Sequence, residues 1–247
     1  MLCSKRNPAN TMEQLTRINK RMAELGLCSR READVLIVAG AVRVNGKKAV
    51  LGQAVSTGDK ITITNSGETK KVYFAYYKGR GIITHSPDTG ETDIATRLQQ
   101  DYQITGVYPI GRLDKDSEGL LLLTNDGRLT APLLNPDNNI PKTYEVTVDK
   151  PVVGAFLQKL EHGVRIESYM TKPAKAVKNS SHRFTLTLTE GKKHQIRRMC
   201  AALGYQVQTL KRTQIANIAL GPLKPNQYRK LTTTELEDLS SLLKVQL

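Results

Sequence analysis

The sequence predicts an α+β protein in two unequal parts: a small helix-and-hairpin module, then a larger mixed domain on a mainly antiparallel sheet. Three observations predict this. At 247 residues the chain exceeds one average domain and falls short of three. Two helical apolar periods and a hairpin are compressed into residues 14–66. From Val72 onward, short segments rich in β-branched and aromatic residues dominate, with few helices between them.

Residues 1–13 form a polar tail. Leu15, Ile18, Met22 and Leu25 then recur at helical spacing, with Gly26 as the stop. Ser29 and Glu32 have the form of a capping box, followed by Ala33, Leu36 and Ile37 on one face and Gly40 at the end. Val42 and Val44 alternate, Asn45-Gly46 is a hairpin turn, and Gly58-Asp59 leads to Ile61 and Ile63. Asn65-Ser66-Gly67 breaks the pattern, which places an interdomain linker at 67–71 and the second domain at 72–247.

In that second domain VYFAYY, GIIT, VYPI, LLLLT, TYEVTV, RFTLTL, YQVQTL and QIANIAL read as strands. PVVGAFLQKL and HQIRRMCAAL read as helices, and TTTELEDLSSLL closes the chain behind a capping box at Thr232 and Glu235.

Composition narrows the function. With 37 Lys and Arg against 23 Asp and Glu, the net charge of +14 points to nucleic acid or an anionic surface as partner. The first 71 residues hold 13 basic and 6 acidic side chains, so basicity is densest at the front. No apolar run approaches the roughly 20 residues that span a bilayer, and the N-terminus lacks a signal-peptide core, so a soluble cytoplasmic protein without membrane association is expected. Cys3, Cys28 and Cys200 are too widely spaced to form a metal site and read as free thiols. Neither a dinucleotide fingerprint nor a P-loop is present, so nucleotide-cofactor binding has no support.

Two segments carry chemistry. Ser29 opens a helix whose first turn bears Arg30 and Arg31, and a helix N-terminus with two guanidiniums attracts phosphate. A solvated helix face would look the same. In GRLDKDSEGLLLLTNDG, residues 111–127, Asp114 sits on a loop just before an apolar strand, at the rim of a buried sheet. A carboxylate there needs a nearby cation to stay ionised. Asp116 and Glu118 are equally near, and spacing alone does not choose among the three. A loop aspartate that only turns the chain and a glycosidase carboxylate pair both remain open at this point.

Residues 14–64 resemble the S4 RNA-binding module, whose pattern stands here as RINKRMAELGLCSRREAD, including Lys20, and VRVNG. The GRLD segment resembles the catalytic motif of the RsuA/RluB/RluF branch of pseudouridine synthases, and three more segments follow in that family's order: KTYEVTV, EGKKHQIRRM and LKRTQIANIALGPLKPNQYRKLT. The resemblance implies that Asp114 is the nucleophile, that Tyr144 lies against the target base, and that Arg197 pairs with Asp114. It implies a uridine of ribosomal RNA as substrate, with no cofactor and no metal, and it also admits a transfer RNA. QIRRMCAALGYQV is more similar to the RluF type, which acts on large-subunit ribosomal RNA, than to the small-subunit RsuA type.

The chemistry agrees with these roles. A paired nucleotide must leave its stack to react, and an aromatic face then receives the base. Arg112 is placed to hold a phosphate or fill the vacated space. Lys78, Lys192, Lys193, His194, Lys211 and Arg212 add positive charge and are expected to meet RNA backbone where they act at all. A monomer is expected. The alternatives are a non-catalytic RNA-binding or ribosome-assembly protein, and a glycosidase, which the +14 charge, three Phe and absence of Trp oppose. One segment departs from the family: Tyr77-Lys78-Gly79-Arg80-Gly81 stands where N-K-P-x-G is common, and loss of the Asn and Pro is expected to loosen that turn.

Overall fold

A computed structural model describes residues 15–25, 27–28, 30–64, 70–85, 89–245 and 247. The expected tail, the Gly26 stop, the Ser29 cap, Cys3, linker residues 67–69 and the Arg31 side chain lie outside the described residues. The chain divides between Lys70 and Lys71 into two compact units. Among the described residues no helix is long and apolar enough to cross a membrane.

The first unit runs β1 (Thr16–Arg17), α1 (Ile18–Glu24), α2 (Arg30–Val38), β2 (Val42–Val44), β3 (Lys47–Lys48), β4 (Ala54–Val55) and β5 (Ile61–Ile63). Ile18 and Met22 from α1, Ala33 and Ile37 from α2, and Val42 and Val44 from β2 meet in one buried cluster. Asn45 and Gly46 both take positive φ, 50° and 82°, the turn geometry that matches the twist of the β2–β3 hairpin.

The second unit continues with β6 (Tyr73–Lys78), α3 (Ile94–Tyr102), β7 (Tyr108–Ile110), β8 (Glu118–Thr124), α4 (Thr130–Leu134), β9 (Lys142–Val148), α5 (Gly154–His162), β10 (Arg165–Ile166), β11 (Tyr169–Met170), β12 (Lys175–Lys178) and β13 (Arg183–Leu188). It ends with α6 (Gln195–Ala202), β14 (Val207–Ile215), β15 (Ile218–Ala219), β16 (Tyr228–Lys230) and α7 (Thr233–Leu243). The main sheet has the order β12-β13-β9-β14-β8-β6-β16, and its β14–β8 pairing is parallel while its other pairings are antiparallel.

Strands β6 and β8 of this sheet are buried on both faces, which explains the uninterrupted LLLL run. Phe74, Tyr76, Leu121 and Leu123 enter one core with α3, α5 and α6 residues, and Ala75, Tyr77, Leu120 and Leu122 enter a second with Leu133 of α4 and Leu239 of α7. The Thr232–Glu235 capping box forms in full.

Three strand expectations change. GIIT makes only a bridge from Ile83 to Asp93, and the Ile82 carbonyl accepts from the Lys78 ammonium. QIANIAL is a hairpin, bent where Ala216 takes φ 52°. YQVQTL is the first part of a longer strand that runs to Ile215. Helix α3 is an addition, although its signal is present: Asp93 caps it through Thr96 N at 2.8 Å, and Ile94, Leu98 and Tyr102 recur every four residues.

Candidate active site

Asp114 stands on the loop that feeds β8, and its neighbours are immobilised first. Buried Leu113 exchanges two hydrogen bonds with Thr84: its N–H donates to Thr84 Oγ1 at 3.1 Å, and that hydroxyl donates to its carbonyl at 2.8 Å. Ser117 N–H closes a turn on the Asp114 carbonyl at 3.0 Å. With Leu113 drawn into the core, the next side chain points outward, and that of Asp114 is 36% exposed.

The three nearby carboxylates now separate. Glu118 accepts the Tyr77 phenol at 2.8 Å and belongs to a structural contact. Asp116 is exposed and uses its backbone carbonyl. Asp114 has His194 Nε2 at 3.4 Å from its Oδ1, an ion pair whenever the imidazole is protonated.

His194 sits at the N-cap of α6 in a left-handed conformation, φ 53° and ψ 27°, without a capping side-chain bond. Buried Gln195 orders the approach: its amide donates to Glu190 at 2.6 Å, and its carbonyl oxygen accepts Lys192 N–H at 2.9 Å. Three residues beyond the cap, Arg197 was expected to pair with Asp114, but its guanidinium is engaged elsewhere. It donates to the Val207 carbonyl at 3.2 Å, the Asp116 carbonyl at 3.3 Å and Ser117 Oγ at 3.4 Å. Arg197 thus ties the far side of the Asp114 loop to α6 and β14, and the side chain beside the carboxylate is the His194 imidazole.

Beneath this loop, one line of cross-strand partners runs Lys78, Gly119, Arg212, Tyr144, Leu186 over β6, β8, β14, β9 and β13. Paired residues share a sheet face, here the face that also buries Leu113 and Ile196. Tyr144 is 8% exposed, so its ring is largely core, as a strand tyrosine usually is.

Two expected RNA contacts are corrected by depth. Lys78 is 0% exposed, and its ammonium donates to the carbonyls of Gly79 at 3.0 Å, Ile82 at 2.7 Å and Lys115 at 3.3 Å. Burial pushes it down to about 8, against the charges of Asp114, Asp116 and Glu118, which favour the ammonium. Arg212 is 4% exposed and spends its Nε–H on the Leu120 carbonyl at 2.8 Å. Neither is available to a phosphate.

The departure at Tyr77-Lys78-Gly79-Arg80-Gly81 does not loosen its turn. Gly79 N–H donates to Asn226 Oδ1 at 3.0 Å, a bond proline could not make, and Gly81 N–H donates to the Lys115 carbonyl at 2.9 Å.

Arg112 and Lys193 are exposed and make no hydrogen bond or ion pair among the described residues, so both are free to meet phosphate. In the first unit Arg30 is exposed, and Lys20 lies 3.7 Å from Glu24, a surface pair of small strength. Sequence reasoning counted His194 only as added charge and passed over Gly119. A lone glycine in an apolar strand was the available signal for the latter.

Comparison with known proteins follows the same division. The family model described as RNA pseudouridylate synthase matches residues 72–202, and the S4 domain model matches residues 16–61. The chain is 40% identical over 232 residues to the dual-specificity RNA pseudouridine synthase RluF of Escherichia coli (strain K12), covering 92% of this chain and 79% of that protein. It is 38% identical over 237 residues to ribosomal large subunit pseudouridine synthase B of Bacillus subtilis (strain 168), covering 92% and 97%. A solved pseudouridylate synthase structure superposes with a TM-score of 0.68 at 32% identity, over 90% of this chain and 99% of that one.

Proposed function

This chain belongs to the RNA pseudouridylate synthase family and carries an S4 domain, and from that premise we propose that it isomerises a uridine of large-subunit ribosomal RNA with Asp114 as nucleophile. That it is an RNA-modifying isomerase follows from the family. The choice of RNA rests on the relatives: one is named for the large ribosomal subunit and another for dual specificity. A transfer RNA is the second reading, which the dual-specificity relative favours.

The observation that carries the role of Asp114 is its setting. Its loop is held by Thr84, Lys78 and Arg197, while its carboxylate faces outward beside a titratable cation. A nucleophile must be placed to within fractions of an ångström, and a loop pinned on three sides does that. The reaction breaks the C1′–N1 bond, turns the base and forms a C1′–C5 bond, so that C5 gives up a proton and N1 gains one. No electrons are gained or lost overall.

For this the uridine leaves its stack. Tyr144 is the side chain we place against the base, an aromatic face stacked on a base being worth about 1–3 kcal/mol against the cost of unstacking. Exposed Arg112, two residues from Asp114, holds a phosphate or fills the gap in the RNA. The first unit supplies affinity through Lys20, Arg30 and Arg31.

The test is to incubate the protein and its Asp114→Ala variant with ribosomal RNA and, separately, with transfer RNA from a strain lacking the gene, then map new pseudouridines by base-specific modification and primer extension. One or more large-subunit sites should appear with the wild type alone. A site formed by both proteins would sink the nucleophile role, and sites confined to transfer RNA would move the substrate.

A further inference from the structure

The turn that begins α6 does something the proposed roles of Asp114, Tyr144 and Arg197 leave unused. Among the described residues, the cationic side chain within ion-pair distance of the Asp114 carboxylate is His194, at 3.4 Å. The other cations nearby are committed. Lys78 is bound by three carbonyls, and Arg197 by two carbonyls and a hydroxyl. Lys115 pairs with Glu91 at 2.7 Å, Arg198 pairs with Glu167 at 2.7 Å, and Lys192 lies over the Tyr169 ring at 3.5 Å.

The backbone at His194 is the second observation. Its φ of 53° belongs to the left-handed region, which a non-glycine residue adopts at a cost. A residue at an N-cap usually turns its side chain back to the helix, but His194 does not. Its carbonyl accepts the Arg198 N–H at 2.9 Å to start the helix, and its imidazole reaches across to Asp114. Its side chain is 49% exposed, so it exchanges protons freely with solvent.

We propose that His194 is a positioning residue that, when protonated, holds Asp114 ionised, so that the enzyme stays active to lower pH than the carboxylate alone would permit. This rests on the reading of Asp114 as nucleophile. The charged groups around the pair are Lys78 from β6 and Arg197 from α6, which bind carbonyls of the Asp114 loop, Arg112, Lys115, Asp116 and Glu118 beside Asp114 in the chain, and Lys192 and Lys193 just before His194. Two unit charges about 4 Å apart in a largely aqueous setting displace a carboxyl titration by roughly half to one pH unit.

Two variants keep the backbone tolerable. Asn accepts the left-handed conformation and carries no charge, so His194→Asn removes the cation alone. His194→Lys makes the charge permanent. The Asp114 carboxyl carbon is followed by 13C NMR against pH, its signal assigned by loss in Asp114→Asn. In parallel, kcat/KM on ribosomal RNA is measured from acid to neutral pH. The expected result is a titration midpoint about half to one unit higher in His194→Asn than in wild type, restored in His194→Lys, with the acid limb of kcat/KM moving in step.

Coincident midpoints in wild type and His194→Asn would overturn the proposal, as would a lysine variant that titrates like the asparagine one. So would a carboxyl midpoint that moves while the acid limb stays. If Asp114→Asn turns over normally, the nucleophile reading fails instead, and the NMR comparison still decides whether His194 governs the carboxylate.

Discussion

Gly119 and Arg212 lie side by side in parallel strands, so close that a β-carbon on Gly119 would stand 2.2 Å from the Arg212 carbonyl oxygen and 2.6 Å from its nitrogen. Gly119 also takes φ +109°, a conformation that L side chains rarely adopt. The two residues form the middle of the line from Lys78 to Tyr144 that underlies the Asp114 loop.

Gly119→Ala therefore meets both a backbone collision and a strained φ. It is expected to lower stability by about 2–4 kcal/mol, read as a shift in the urea unfolding midpoint. A variant within experimental error of the wild type would show that β8 and β14 separate easily.

Arg197 holds the Asp116 carbonyl and Ser117 Oγ, so its loss should displace Asp114 without removing an RNA contact. Arg197→Ala is expected to lower kcat about 100-fold with KM little changed, and Arg197→Lys to fall between, since lysine lacks the planar fork. Steady-state kinetics on a ribosomal RNA fragment checks this. A rise in KM alone would make Arg197 an RNA-binding side chain instead.

Lys78 makes stability depend on alkaline pH. An unfolded lysine keeps its proton to about pH 10.4, whereas the native ammonium, pushed down by burial, titrates at about 8. Between those values the unfolded chain binds the additional proton, so stability rises with pH. Below pH 8 the cost of burying the charge is fully present. Relative to Lys78→Met, wild-type stability should gain up to about 3 kcal/mol across that window, measured by denaturant unfolding at each pH. A difference that is flat between pH 7 and 10 would place the Lys78 titration elsewhere.

The first unit's cations should be visible in salt dependence. Each phosphate neutralised adds about 0.7–0.9 to the slope of log affinity against log salt, so Lys20→Ala with Arg30→Ala should reduce that slope by up to about 2. Fluorescence anisotropy with labelled RNA measures it. An unchanged slope would remove both side chains from the RNA contact.

Much of the fold was legible because local patterns and tertiary environment agree. Alternation in TYEVTV and RFTLTL, the Asn45-Gly46 turn and the Thr232–Glu235 box each become the element they suggest. GIIT misleads because β-branched content signals a pleated surface only where a partner strand is available. Here the Ile82 carbonyl goes to a lysine side chain. Motif order pointed to Asp114, but residue spacing alone carried no distinction from Asp116 and Glu118. That distinction depends on Tyr77 and His194, 37 and 80 residues away in the numbering.

From sequence alone the protein is a two-part, basic α+β chain with an S4-like front and an ordered set of synthase motifs, because periodicity, turn residues and motif order are properties of the chain itself. The tertiary structure decided what each charge does. Lys78 and Arg212, expected at an RNA surface, are buried under the site, whereas His194, expected only to add charge, stands beside Asp114. The reason is that the chemistry of an ionisable group follows its depth and its neighbours. For these groups the neighbours come from strands and helices that meet only when the sheet has formed.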